Sequence, residues 1–185
     1  MSAPARTLLL TGFGPFRSVD VNPTAELVQR LNGRTIAGVQ IIGVVLPVSW
    51  ERAPAIALDL VAEHNPIAVI GFGVATPRSA VMVETQAHRR RFGPDVDGAH
   101  GVDRATGPDL VRATLNPEAL AKALGVATSD DAGAYVCNTW LYEVALRSPA
   151  PATFIHVPAV GMDAEHLASA LEVWLHAERQ ALKLA

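Results

Sequence analysis

The chain has 185 residues, with 15 Lys and Arg against 18 Asp and Glu, and its 50% apolar content is enough for the core of one domain. The net charge of −3 gives no electrostatic basis for binding nucleic acid or an anionic membrane surface. The single cysteine cannot form an intramolecular disulfide, and the apolar run near the N-terminus is too short for a signal peptide or a membrane span. We therefore expect a cytoplasmic protein without nucleic-acid or membrane partners.

Apolar runs alternate with helical patterns, which predicts an α/β fold with a mainly parallel or mixed central sheet between two helical layers. The predicted strands are 6–11, 39–48, 67–73, 79–84, 126–129 and 152–157. The predicted helices are 22–33, 50–64, 116–125, a helix after the cysteine to about 147, and a last one from about 163. No linker or repeat divides the chain, so we expect one domain, 1–185, in which the Arg- and Gly-rich stretch 85–108 is a long loop.

Glycine-containing turns and histidines give little support to a phosphate or metal site. The segment TGFGPF at 11–16 follows a strand, but Arg17 stands where a dinucleotide-binding fingerprint needs its third glycine. The histidines form no HExxH motif, and one cysteine cannot build a thiolate site, so we predict neither a metal nor a cofactor. Phe13 and Phe16 remain of interest, because the carboxyl end of a strand is where α/β proteins bind ligands.

Cys137 admits two interpretations from the residues alone. Free cysteines are among the most buried side chains and commonly pack as small hydrophobes. However, Leu141, Val144 and Ala145 follow at helical spacing, which places Cys137 at or just before a helix N-terminus. Unpaired amides and the helix dipole at such a position lower the pKa of a thiol and could also hold an oxyanion. A nucleophilic role therefore stays open beside a packing role.

A nucleophilic thiol needs a base, and the base needs a group that orients it. In the strand 152–157, His156 shares a face with Phe154 near the carboxyl end. Glu84 ends the run 79–84 in the same manner, and a buried carboxylate could orient an imidazole. Either residue could instead be structural, as a hydrogen-bonded strand histidine or an exposed acid at a strand end.

Four segments, in order, resemble those of the type I pyroglutamyl peptidases, also called pyrrolidone-carboxylate peptidases. They are TGFGPF…VNP at 11–23, RSAVMVE at 78–84, AGAYVCN at 132–138 and FIHVP at 154–158. The resemblance spans about residues 6–160 and implies a single α/β/α domain. It also implies a thiol protease that removes an N-terminal pyroglutamyl residue from peptides through a thioester, needs no cofactor and forms a homo-oligomer.

Carried over by position, the resemblance implies that Cys137 is the nucleophile, His156 the base and Glu84 the catalytic acid that orients it. It further implies a set of substrate-binding residues: Phe13, Phe16, Asn22, Phe72, Tyr135 and Val136. A pyroglutamyl group is a flat, uncharged lactam, so apolar faces and backbone groups can recognise it without a counter-ion.

The stretch 71–78 departs from the family, because Phe72 replaces a glutamine and additional residues precede Arg78. We expect Phe72 to form a third apolar wall of the pocket. Two alternatives stay open. One is a thiol amidase or esterase for another small acyl group, and the other is a catalytically silent protein that binds pyroglutamyl peptides.

Overall fold

The structure, a computed structural model, describes residues 6–17 and 19–182. Residues 1–5, part of the N-terminal segment considered above, lie outside the described residues. In the described part of the chain, no helix is long and apolar enough to cross a membrane. The strands are β1 (Thr7–Phe13), β2 (Thr35–Ile36), β3 (Val39–Leu46), β4 (Ala68–Val74), β5 (Met82–Glu84), β6 (Gln86–His88), β7 (Leu110–Arg112), β8 (Ala127–Ser129) and β9 (Ala152–Val157). The helices are α1 (Pro23–Leu31), α2 (Arg52–His64), α3 (Pro117–Leu124), α4 (Val136–Arg147) and α5 (Ala164–Ala177).

Seven strands form one sheet in the order β2-β3-β1-β4-β9-β5-β8. The pairs β1–β3, β1–β4, β4–β9 and β5–β8 are parallel. The pairs β2–β3 and β5–β9 are antiparallel. The sheet is therefore mixed but mainly parallel, which confirms the predicted fold class.

Side-chain alternation along the strands divides the core between the two faces of the sheet. On β1, Leu8 and Leu10 pack into a core that contains residues of α1, α3 and α5. Leu9 packs into a second core that contains residues of α2 and α4. All three leucines are fully buried, so the sheet is covered by helices on both faces.

Capping residues determine where α1 and α3 begin. The side chain of Asn22 accepts a hydrogen bond from the backbone N–H of Thr24, and that of Asn116 accepts one from Ala119. In both helices a proline follows the cap, where its missing N–H has no intrahelical partner to lose. Gly125 ends α3 with a left-handed backbone conformation. The helices predicted at 22–33 and 116–125 therefore begin at their capping residues.

The sequence predicts that the segment 85–108 is a long loop. In the structure this is only partly correct. Residues Gln86–His88 form β6, which pairs antiparallel with β7 in a separate two-stranded sheet. A strand of three residues is too short to show a period, and its partner lies beyond the end of the segment. The prediction failed there for lack of a local signal.

Candidate active site

The candidate site lies on the face of the sheet that α2 and α4 cover, at the carboxyl ends of parallel strands. In the β4–β9 register, Gly71 is opposite Phe154 and Gly73 is opposite His156. A Cβ on Gly73 would lie 2.6 Å from Sγ of Cys137, and one on Gly71 would lie 2.4 Å from the Phe154 ring. The two glycines therefore let α4 and its cysteine lie directly against the sheet.

Helix α4 presents Cys137 as its second residue, after Tyr135 at the N-cap position. Burial, followed by the negative charge of Glu84, raises the pKa of the Cys137 thiol to about 12, and a backbone hydrogen bond lowers it by less. The sequence analysis expects a lowered pKa from the helix N-terminus, but the net shift of the pKa is upward, because burial outweighs the backbone hydrogen bond. The resting thiol is protonated at neutral pH.

Glu84 and His156 form a buried pair across β5 and β9. Glu84 is 0% exposed and His156 is 5% exposed, and Nδ1 of His156 lies 2.7 Å from Oε1 of Glu84. In the antiparallel register Glu84 is opposite Phe154, so the pair is diagonal. An ionised Glu84 accepts the Nδ1 proton, which leaves Nε2 as the nitrogen that can take up another proton.

Arg78 binds the same oxygen of Glu84. Its Nη1 donates to Oε1 of Glu84 at 2.6 Å, while Nη2 donates to Oγ of Ser129 at 3.1 Å and to the backbone carbonyl of Asp131. Arg78 is part of a segment that resembles the family, but the sequence alone assigns it no function. A cation six residues before a candidate buried acid is the signal that could have identified it.

A cavity of about 360 Å³ opens in front of the Glu84–His156 pair, within the size range of small-molecule sites. Of the residues that the sequence analysis singles out, it is lined by Phe13, Phe16, Asn22, Tyr135, Cys137 and His156. Much of the remaining wall comes from the loops 74–78 and 131–134. The structure thus brings a thiol, an imidazole and aromatic side chains to one opening.

Asn22 and Tyr135 also stabilise the wall of this cavity. Nδ2 of Asn22 donates to the backbone carbonyl of Gly14 at 3.1 Å, and its Oδ1 accepts from Thr24. The Tyr135 hydroxyl donates to the carbonyl of Pro94 at 2.7 Å. Both residues therefore hold the loops that shape the opening.

Phe72 and Val136 do not line the cavity. Phe72 lies between Gly71 and Gly73 on β4, so its side chain points to the opposite face and is fully buried in the core with α1, α3 and α5. The expectation that Phe72 forms a third apolar wall is therefore wrong. Val136 is also fully buried, in the core beneath α2 and α4, so its side chain serves packing.

Asn138 fixes the segment 85–108 to the start of α4. Its Oδ1 accepts from the backbone N–H of His88 at 2.8 Å, and its Nδ2 donates to the carbonyls of His88 at 2.7 Å and Arg90 at 3.0 Å. Asn138 is fully buried. The sequence alone assigns no role to this residue, although its buried amide, directly after Cys137, positions the start of α4.

The comparisons with known proteins agree with one another. The sequence model of the family described as pyroglutamyl peptidase matches residues 6–170. A pyrrolidone-carboxylate peptidase of Coprothermobacter proteolyticus is 32% identical over 176 residues, covering 83% of this chain and 81% of the relative. The protein of the same description from Halalkalibacterium halodurans is 36% identical over 168 residues, covering 82% of this chain and 83% of the relative.

Solved structures extend this similarity to the fold. The pyrrolidone carboxyl peptidase from Thermococcus litoralis superimposes with a TM-score of 0.84 at 28% identity, over 96% of this chain and 95% of that chain. A mutant pyrrolidone carboxyl peptidase from Pyrococcus furiosus gives a TM-score of 0.82 at 27% identity, over 95% of this chain and 99% of that chain. The architecture is therefore shared over nearly the whole length.

Proposed function

The chain belongs to the pyroglutamyl peptidase family and is a cysteine peptidase, and we propose that it removes N-terminal pyroglutamyl residues with Cys137 as nucleophile, His156 as general base and Glu84 as the orienting acid. One observation carries the assignment of these roles. Cys137 on the first turn of α4 and His156, whose Nδ1 lies 2.7 Å from Glu84, line a single cavity with aromatic walls.

The reaction begins from a protonated thiol. Because Glu84 holds Nδ1 of His156, Nε2 takes the proton from Cys137 while sulfur attacks the carbonyl carbon of the pyroglutamyl group. The N-cap residue of α4 makes no side-chain hydrogen bond to the helix. The first backbone N–H groups of α4 therefore supply hydrogen-bond donors for the oxyanion of the tetrahedral intermediate.

Collapse of this intermediate breaks the carbon–nitrogen bond and leaves a thioester on Cys137. The proton on Nε2 of His156 moves to the departing amine, which is the shortened peptide. A water molecule then loses a proton to His156 and attacks the thioester, and the proton returns to sulfur as free pyroglutamate leaves. Glu84 keeps the imidazole oriented and stabilises its charged form in both halves.

Phe13 and Phe16 are proposed to cover the lactam ring. Phe13 is 2% exposed and its ring lies 6.3 Å from that of Phe154, so its position is fixed by packing. Phe16 lies 6.0 Å from the Tyr135 ring at the opening. Apolar faces of this kind suit an uncharged ring, and backbone groups of the neighbouring loops can pair with its N–H and C=O.

A fluorogenic pyroglutamyl amide, assayed beside the matching prolyl and alanyl amides, tests the proposal. We expect hydrolysis of the pyroglutamyl amide and a kcat/KM far above those of the other two. Preference for another acyl group would favour the amidase or esterase alternative. The altered stretch 71–78, part of which lines the cavity, would then account for the different specificity. Binding of pyroglutamyl peptides without turnover would identify a silent binding protein.

We further propose that the protein acts as a homo-oligomer, as the family resemblance implies. Multi-angle light scattering on the purified protein measures its mass in solution and decides the point.

A further inference from the structure

Two side chains, those of His156 and Arg78, meet at one oxygen of Glu84. Oε1 is 2.7 Å from Nδ1 of His156 and 2.6 Å from Nη1 of Arg78. The second oxygen, Oε2, is buried and has no hydrogen-bond partner among the described residues. Both hydrogen bonds that determine the state of this carboxylate therefore converge on Oε1.

A fully buried carboxylate is costly to ionise, because protein replaces the water that would stabilise its charge. If Glu84 were protonated, it would no longer require a proton on Nδ1 of His156. The imidazole could then carry its proton on Nε2, and Nε2 could not accept one from the thiol. The reaction therefore depends on whatever keeps Glu84 ionised.

Arg78 is built into a position where it can do this. Its side chain is only 23% exposed, and its guanidinium also donates to Ser129 and to the carbonyl of Asp131. Asp131 begins the loop 131–134, which leads into α4. Guanidinium stays charged at any relevant pH, and its planar fork can hold several acceptors at once.

The titratable and charged side chains of this site include Glu84 and those that line the cavity in front of it. They are Glu84 on β5, His156 on β9, Cys137 on α4, Tyr135 at its cap, Arg78, Arg17 and Asp131 in the loops. The Asp131 carboxylate accepts from the N–H of Gly133, and the Tyr135 hydroxyl donates to Pro94. Among the described residues, Arg78 is the permanent cation that contacts Glu84.

We propose that Arg78 is a positioning residue of the reaction, whose charge keeps Glu84 ionised, fixes the proton of His156 on Nδ1 and limits the negative field of Glu84 on the Cys137 thiol. This inference rests on the proposed function of the site. It assigns to Arg78 a role exerted through Glu84 and His156.

Replacement of Arg78 by methionine removes the charge and keeps much of the side-chain volume. Without the cation, Glu84 either takes up a proton or stabilises the imidazolium more strongly. Both changes move to higher pH the part of the pH profile in which kcat/KM falls as the pH is lowered, here called the acid limb. We expect a shift of about one pH unit, with kcat at neutral pH lowered about tenfold and KM little changed. Glu84→Gln should move the acid limb the other way, because a neutral amide stabilises the imidazolium less.

Two matched variants separate charge from structure. Arg30→Met removes the same charge from the exposed surface of α1 and should leave the pH profile unchanged. Arg78→Lys keeps the charge without the planar fork, so it should keep the wild-type acid limb with a reduced rate. Methylguanidinium added to Arg78→Ala should restore part of the lost rate.

A titration of His156 followed by nitrogen-15 NMR tests the inference without any substrate, with the His156→Ala spectrum as assignment. In Arg78→Met the proton shared by Glu84 and His156 should persist to higher pH than in the wild type, seen either as an imidazolium or as a neutral ring protonated on Nε2. An unchanged titration and acid limb in a folded Arg78→Met variant would overturn the inference, as would an equal shift in Arg78→Lys. A wild type that ignores pyroglutamyl amides would instead refute the proposed function, while the NMR titration would still decide the role of Arg78.

Discussion

The two oxygens of Glu84 have different surroundings, which makes Glu84→Gln informative. Arg78 can only donate hydrogen bonds, so the atom at the Oε1 position must be an oxygen. A glutamine therefore places its carbonyl there, still accepts from Nδ1 of His156, and puts its NH₂ group where Oε2 has no partner. The substitution removes the charge and preserves the orientation of the ring.

We therefore expect Glu84→Gln to lower kcat by about tenfold to a hundredfold, and His156→Ala to lower it by roughly 10³-fold or more, since the proposed base is then missing. Steady-state kinetics on the pyroglutamyl amide at several pH values measures both. If His156→Ala kept most of the wild-type rate at neutral pH, another residue would have to be the base.

The raised pKa of Cys137 predicts how the resting enzyme reacts with iodoacetamide. Only the thiolate is alkylated, and its fraction grows with pH until the pKa of about 12. The alkylation rate should thus rise about tenfold per unit from about pH 7 to about pH 10. Mass spectrometry of timed samples measures the rate.

The protein unfolded in urea is the control, because its thiol has an ordinary pKa and its alkylation rate should level off earlier. A rapid rate for the folded protein that did not change between about pH 6 and about pH 8 would contradict the prediction, since it would indicate a preformed thiolate.

At the scale of a single strand, β4 carries two functions on its two faces. Gly71 and Gly73 leave room for the Phe154 ring and the Cys137 thiol, while Phe72 fills the core on the other side. Phe72, where the family resemblance implies a glutamine, therefore serves packing. If Gly73 faces Cys137, the alternation of side chains along β4 places Phe72 on the opposite face.

Phe72→Gln should destabilise the protein by about 3–5 kcal/mol, because it buries an unpaired amide and leaves part of the ring's volume empty. Urea unfolding measures the free energy, and Phe72→Leu, which stays apolar, should lose less. KM for the pyroglutamyl amide should be unchanged in the folded fraction of both variants. A stable Phe72→Gln protein with an altered KM would mean that position 72 reaches the substrate after all.

At the scale of the whole molecule, local signals predicted most elements but not how distant ones meet. Asn22 and Asn116 before prolines determine helix starts, and alternation places His156 and Phe154 on one face. The contact of Glu84 with His156 depends on the antiparallel pairing of β5 with β9, which no local pattern encodes.

The same limit explains why the role of Asn138 is not visible in the sequence, because its partner His88 is 50 residues away. Arg78 reaches Ser129, 51 residues away, although its contact with Glu84 spans only six residues. The pKa of Cys137 likewise depends on how deeply α4 packs against the sheet, and a helix N-terminus seen in sequence gives only the opposing effect. Resemblance to a family supplied the proposed grouping of Cys137, His156 and Glu84 as catalytic residues, which composition and spacing left open.

Acid-quenched turnover analysed by intact-protein mass spectrometry tests the central claim most directly. During hydrolysis of a pyroglutamyl amide, the wild type should carry one pyroglutamyl group, and peptide mapping should place it on Cys137. The prolyl amide should leave no adduct, and Cys137→Ala should show neither adduct nor turnover while remaining folded. Hydrolysis of the pyroglutamyl amide by Cys137→Ala at a rate near that of the wild type would contradict a thioester on this cysteine.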